Sequence, residues 1–240
     1  MVLAAPFYAG VGAAVTGANV DKIVEGVRRF RRDVYPQLKP QYEQLIKSGQ
    51  KPRALIIGCS DSRVAFETLT GCRLGELFIV RNAGNIVPHY GTYVGGVTAS
   101  IEFAVTQLPI EDIIVCGHTH CGAITALLKP ETIKDMPAVR DWVNFSAEAA
   151  ARVKRADKQN PESHLRAAIA ESVKLQVENL RTFPCLAEKL ANKSVRLHGW
   201  VYEIENGDVV EYDETNQRWL SLTEPEEPKR DVSARFGKVK

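Results

Sequence analysis

Three short apolar runs constrain this chain more than any other feature: "RALIIG" at 53–58, "ELFIV" at 76–80 and "DIIVCG" at 112–117. Each is continuous rather than alternating, which fits a strand buried on both faces. Between the second and third lies "TYVGGVTASIEFAVTQL" at 92–108, a helical pattern long enough to cross over a sheet. Strands alternating with helices imply an α/β fold with a mostly parallel central sheet and right-handed crossovers. Further on, "VRLHGWVYEI" and "VVEYD" flank "ENGD". An Asn-Gly turn between β-rich runs signals an antiparallel hairpin, placed here at the sheet's C-terminal edge.

The remaining chain reads as helix and arm. In "NVDKIVEGVRRFRRDVY" at 19–35, Val20, Ile23, Val27, Phe30 and Val34 recur at three- and four-residue steps behind an Asn or Asp cap. A second short helix covers "PQYEQLIKS". Together these helices, about 20–48, offer either a clasp between subunits or a layer on their own domain. "HLRAAIAESVKLQVENLRTF" at 164–183 is a long helix that stops before Pro184. The charged tail "TEPEEPKRDVSARFGKVK" reads as an extended arm. The expectation is one domain over 1–240, with 1–48 as N-terminal arm and helices and 222–240 as extended C-terminal tail.

Composition removes several classes of function. The 31 basic and 29 acidic residues leave a net charge of +2, which disfavours nucleic acid and anionic membranes as partners. No apolar run approaches the roughly 20 residues of a membrane-spanning helix. The N-terminal "MVLAAPFYAGVGAAVTGA" lacks the basic leader of a signal peptide and the Arg and Ser of a transit peptide. Five cysteines are too few and odd in number for a disulfide scaffold, so the expected location is the cytoplasm, where thiols do metal or redox work.

Two strand ends carry the chemistry. Ligands of open parallel sheets bind beyond the carboxyl ends of the strands, and Cys59 in "GCSDSR" and His118 in "CGHTHCGA" stand at two such ends. His118 and Cys121 are spaced H-x-x-C. Thiolate and imidazole are usual zinc ligands, at roughly 2.3 Å and 2.0 Å, and a Cys2His set leaves a fourth position for water or substrate. Asp61 and Arg63, two residues apart, are placed for the guanidinium to hold the carboxylate ionised. Blander readings stand beside these: Cys59 as a small core residue, the Asp-Arg pair as a surface ion pair. A different turn register would put Cys116 or His120 on the metal. Cys116 and Cys185 otherwise read as packing residues and Cys72 as a loop residue, while His164 and His198 receive no ligand role.

In chain order, "CSDSR", "GELFIVRNAGN", "VTASIEFAV", "VCGHTHCGA" and "LHGWVYEI" resemble the β-class carbonic anhydrases, over about residues 20–212. The resemblance implies reversible hydration of carbon dioxide to bicarbonate and a proton by zinc-bound hydroxide, with one Zn2+ per subunit, in dimers or tetramers. It makes Cys59, His118 and Cys121 the zinc ligands and Asp61 with Arg63 the dyad beside the metal. Gln50 falls where the family has a glutamine reaching a neighbouring subunit's site. Phe78, Ala83, Val87, Phe103 and Gly122 fall near positions that line the substrate pocket. His89 and His120 are candidates to relay the released proton.

One departure is visible. Some allosteric bacterial members carry Trp three residues before the first ligand; this sequence has Ile56 there, although Arg81 is present. That removes a wall of their noncatalytic bicarbonate pocket and favours an open zinc site at neutral pH. A closed state, with Asp61 on the metal after release by Arg63, stays open on sequence grounds. So do hydrolysis of carbon disulfide or carbonyl sulfide on the same scaffold and a structural zinc module.

Overall fold

The structure is a computed structural model that describes residues 20–154, 157–223 and 229–237. The N-terminal arm up to Asn19, a residue expected as a helix cap, and residues 224–228 and 238–240 of the tail lie outside that set. The chain divides after Gly49 into two compact units. Gly49 has φ +71, a left-handed conformation that favours glycine and stops the preceding helix.

In the first unit, α1 (Val20–Arg29) and α2 (Tyr35–Ser48) are joined by a π-helical turn, Phe30–Val34. The gap expected between two helices is absent: α2 takes Pro36 into its first turn and runs on through Pro40. Neither helix buries a residue, and Val20, Ile23, Val27 and Phe30 remain exposed.

The second unit is built on six strands: β1 (Ala54–Cys59), β2 (Leu77–Asn82), β3 (Asp112–His118), β4 (Arg196–Glu203), β5 (Asp208–Asp213) and β6 (Arg218–Ser221). Their order is β2-β1-β3-β4-β5-β6, with the first four parallel and β5 and β6 antiparallel. Between β1 and β2 lies α3 (Phe66–Thr70), and between β2 and β3 lies α4 (Gly96–Gln107). After β3 come α5 (Gly122–Leu128), α6 (Pro137–Val143), α7 (Ala147–Arg152), α8 (Pro161–Leu180) and α9 (Pro184–Ala191). The expected edge hairpin is thus part of a three-stranded meander, and the short strand "RWLS" behind a polar turn carried no signal of its own.

Central strands are buried as their sequence demands. Leu55, Ile56 and Ile57 of β1 are each at most 1% exposed, so both faces of the strand are covered. On one face Leu55, Ile57, Ile113 and Val115 join Ile101, Ala104 and Val105 of α4 and Ile169 and Val173 of α8; on the other Ile56, Ile114 and Cys116 join Val64 and Phe66. Burying each such side chain contributes about 1.5–3 kcal/mol. Glycines just before two strand ends let this packing close tightly. A Cβ on Gly58 would lie 2.0 Å from Phe66 Cζ, and one on Gly117 2.7 Å from Val173 Cγ2.

The tail corrects an expectation. Residues 229–237 do not extend freely: Val232 N donates to Trp219 O at 2.8 Å, and Ser233–Phe236 forms a 3-10 turn. Val232 and Phe236 are buried, and the Phe236 ring lies 5.1 Å from that of Trp219. Two apolar residues within a charged stretch were enough to fold it back.

His198 ties three strands together. Its Nδ1 lies 2.7 Å from Glu211 Oε1 on β5 and its Nε2 2.9 Å from Asp112 Oδ1 on β3. Ionised carboxylates only accept, so both ring nitrogens donate and the ring is an imidazolium. Arg196 also binds Asp112 through two bonds, and Lys229 lies 3.9 Å from Glu211. The hydrogen bond to Glu211, then that to Asp112, raises the His198 pKa against the opposing effect of burial. With the folded pKa above the unfolded one, this stabilisation is complete below about pH 6.5 and is lost as pH rises through the raised value. Urea denaturation is expected to show that decline, and His198→Gln to remove it; an equal pH slope in the variant would sink the assignment.

Candidate metal centre

Parallel pairing of β1 with β3 sets Gly58 opposite Cys116, so Cys59 and His118 emerge at the same edge of the sheet. Cys121 follows through a tight turn in which His120 has φ 56, and α5 starts directly after it. The ligand atoms of Cys59, His118 and Cys121 lie within 4.8 Å of one another, and all three residues are buried. His118 Nδ1 lies 2.8 Å from Thr119 O; a carbonyl only accepts, so Nδ1 carries the proton and Nε2 presents a lone pair. That Nε2 is buried without a partner, a state shared among the described side chains only by Asn85 Nδ2. Leaving such a group unsatisfied costs about 1–3 kcal/mol.

The donor set fits a zinc ion. Two sulfurs and an imidazole nitrogen, all turned inward, suit zinc better than a hard cation. Without a metal the thiols compete for protons: a hydrogen bond from Cys121 lowers the Cys59 pKa, and Cys121 is raised by the same contact and by burial. Gly84 N also donates to Cys59 Sγ at 3.4 Å. By contrast Cys116, inside β3, is pushed up to about 12 by burial and remains a thiol.

The carboxylate beside this cluster is held firmly. Arg63 Nε and Nη2 reach Asp61 Oδ1 and Oδ2 at 2.9 and 2.7 Å, and the Arg63 backbone N–H adds a third bond at 3.0 Å. The Arg63 side chain is the main reason the Asp61 carboxyl lies well below the usual carboxylate range, so it stays ionised at neutral pH. Asp61 Oδ2 is 3.9 Å from His118 Nε2. Arg81 holds the same loop from beneath, donating to the carbonyls of Cys59, Asp61 and Val64 at 3.1, 2.8 and 2.8 Å. Where the sequence offered Arg81 only as part of an absent regulatory pocket, the structure uses it as a brace.

The other expected site residues are less tightly gathered. Ala83 is exposed beside Gly84, Gly122 is the exposed first residue of α5, and Val87 is fully buried. Phe78 and Phe103 pair with ring centroids 6.2 Å apart. Phe78 is level with Leu55, four residues before Asn82 draws level with Cys59, roughly 13 Å along the strand. Gln50 is exposed at the start of the second unit. His89 and His120 are exposed, the former with Nδ1 2.9 Å from Tyr90 O and the latter with Nε2 3.6 Å from Glu205 Oε2.

Several supporting residues escaped the sequence reading. Gln176 Oε1 accepts from Val87 N at 2.8 Å and Asn179 Nδ2 donates to Val87 O at 2.8 Å, so α8 grips the loop after β2. Trp142 Nε1 donates to Ala83 O at 2.8 Å. A signal existed: Ser172, Gln176 and Asn179 form a polar stripe at helical spacing within the buried face of α8.

Comparison with known proteins agrees with this geometry. The family model described as Carbonic anhydrase matches residues 54–209. A carbonic anhydrase of Pseudomonas aeruginosa is 44% identical over 202 residues, 84% of this chain and 91% of that protein. One from Synechococcus elongatus is 42% identical over 81% of this chain and 72% of that protein. The solved β-carbonic anhydrase CcaA superposes with a TM-score of 0.80 at 37% identity, covering 87% of this chain and 94% of its own. The chain belongs to the β-carbonic anhydrase family. It is accordingly an enzyme of carbon dioxide hydration, and the six-stranded sheet with its flanking helices is the family's fold. A Coccomyxa β-carbonic anhydrase, solved with acetazolamide, is a more distant relative at 27% identity and TM-score 0.69, over 81% of this chain and 86% of its own.

Gln176 yields a test of the loop's support. Gln176→Leu leaves the buried Val87 N–H unpaired, so a loss of about 1–3 kcal/mol in urea denaturation is expected, with faster hydrogen exchange at Val87. Unchanged exchange there would show that Gln176 does not secure this loop.

Proposed function

We propose that this chain catalyses the reversible hydration of carbon dioxide to bicarbonate and a proton with one zinc ion per subunit, held by Cys59, His118 and Cys121. The observation that carries the proposal is the orphaned, buried Nε2 of His118 facing two buried sulfurs beside an arginine-held carboxylate. When bound there, zinc supplies the acidity that makes water nucleophilic near neutral pH, its usual effect being to lower a water pKa from 15.7 to about 7.

The chain's own residues do the rest. Asp61, kept ionised by Arg63, accepts a hydrogen bond from the attacking water and so turns the oxygen lone pair toward carbon. Because it does not protonate at neutral pH, it orients without donating. Ala83 and the Gly122 end of α5 offer an apolar wall to a small uncharged substrate, and Gly122 has no side chain to obstruct it. Gln50 supplies an amide to the substrate in a neighbouring subunit's site, and Phe78 and Phe103 add apolar wall there.

Self-association as a dimer or tetramer is part of this reading. It is supported by the open apolar row Val20, Ile23, Val27 and Phe30 on the N-terminal helices and by a relative from Sordaria macrospora, 25% identical, described as tetrameric. No helix among the described residues is long and apolar enough to cross a membrane. Five cysteines without a disulfide support action in the cytoplasm.

Stopped-flow hydration of carbon dioxide with metal analysis tests the proposal. One zinc per chain is expected, with activity lost on its removal and regained on its return. Cys59→Ser and His118→Ala are expected to lose the metal. Asp61→Asn should retain zinc while activity falls about 10–100-fold. Full activity in metal-free protein would refute the reading.

A further inference from the structure

We infer that Thr119 and Glu205 act as a positioning pair that fixes the His118 ring for the metal, an inference that rests on the zinc site proposed above. Thr119 lies between the ligands, 1% exposed, and each of its polar groups is engaged. Its N–H donates to Tyr202 O at 3.0 Å; its hydroxyl donates to Glu205 Oε2 at 2.5 Å and accepts from Ile204 N at 3.0 Å. These three bonds leave the Thr119 peptide little freedom to rotate. Its carbonyl is the acceptor of the His118 Nδ1 proton at 2.8 Å, the bond that directs the Nε2 lone pair at the two sulfurs. Glu205 therefore reaches the metal ligand through one hydroxyl and one carbonyl, without touching metal or substrate.

Glu205 is itself anchored. Arg166, from α8, pairs with Glu205 and, at 2.8 Å, with Glu203 Oε1. Glu203 is 1% exposed and also binds Arg235 Nη1 at 2.6 Å and Asn206 Nδ2 at 3.0 Å. A charge held in this way does not swing away from Thr119. Metal-binding histidines depend on such outer partners for ring orientation and tautomer, and losing one typically costs about 10–100-fold in metal affinity.

The test measures zinc affinity by competition with a chromophoric chelator, and ligand geometry by the visible absorption of the cobalt(II)-substituted protein. Thr119→Val and Glu205→Ala are expected to weaken zinc about 10–100-fold and to alter the cobalt spectrum. Thr119→Ser, which keeps the hydroxyl, should stay near wild type, and Glu205→Gln, which keeps an acceptor, should fall between. Circular dichroism of the metal-free variants reports folding, and Thr119→Ser with Glu205→Gln carry the comparison if either harsher variant does not fold. Variants that lose thermal stability but keep wild-type zinc affinity and spectrum would overturn the inference, as would Thr119→Ser failing to rescue. Wild-type protein that takes up no zinc would instead overturn the metal site itself, and this inference with it.

Discussion

Backbone hydrogen bonds between β1 and β3 are made where both sheet faces are buried, and their register alone decides whether Cys59 and His118 meet. A shift of one residue would turn every side chain of a strand to the opposite face. Leu55 and Ile57 would exchange places with Ile56 and Gly58, and the Phe66 ring that closes over Gly58 would have no room. The apolar packing thus fixes the register, and the register positions two candidate ligands separated by 59 positions in sequence. No local motif could bring that thiol and that imidazole to one point.

Packing brings the strand ends together, but it does not aim side chains. That task falls to hydrogen bonds with charged or backbone partners: Arg81 on three carbonyls of one loop, Gln176 and Asn179 on Val87, and Thr119 beneath His118. Each such bond contributes only about 0.5–1.5 kcal/mol net, somewhat more when charged. Buried ion pairs such as Arg166 with Glu203 are weak evidence for stability, since apolar replacements often serve as well. Their directional value is a better account of why polar groups lie so densely around the carboxyl end of β4.

How much of this was legible in the sequence follows from the same division. Strands with continuous apolar runs announced themselves, because burial on both faces leaves no other pattern. The Cys-His-Cys set was legible because few functions need two sulfurs and an imidazole at strand ends. Residues that act through geometry were not. Gln176 and Asn179 sit in a helix read only for its apolar face, and Glu205 was absorbed into a turn signal. Trp142 offered nothing, since an indole that binds a distant carbonyl looks like any packing residue. The tail was misread because its charge outweighed the two apolar residues that fold it back. Phe78 and Phe103 show the complementary limit: the positions carry apolar rings, yet within one chain the register sets Phe78 well behind Cys59.

Whether the centre is open to substrate or closed by Asp61 comes down to competing partners for one carboxylate. Asp61 accepts three bonds from Arg63, all charge-assisted, and such bonds are worth about 1.5–3 kcal/mol each. Moving the carboxylate onto the metal would break these contacts. Arg63 is not free to follow, because its Nη2 also donates to His120 O at 3.2 Å, in the turn that carries His118 and Cys121. The guanidinium therefore links the dyad to the ligand turn, and each holds the other in place. A structural zinc module would need a fourth protein ligand, and the nearby Asp61 carboxylate, 3.9 Å from His118 Nε2, is occupied by Arg63. The same three contacts keep Asp61 ionised and hold its carboxylate in one orientation.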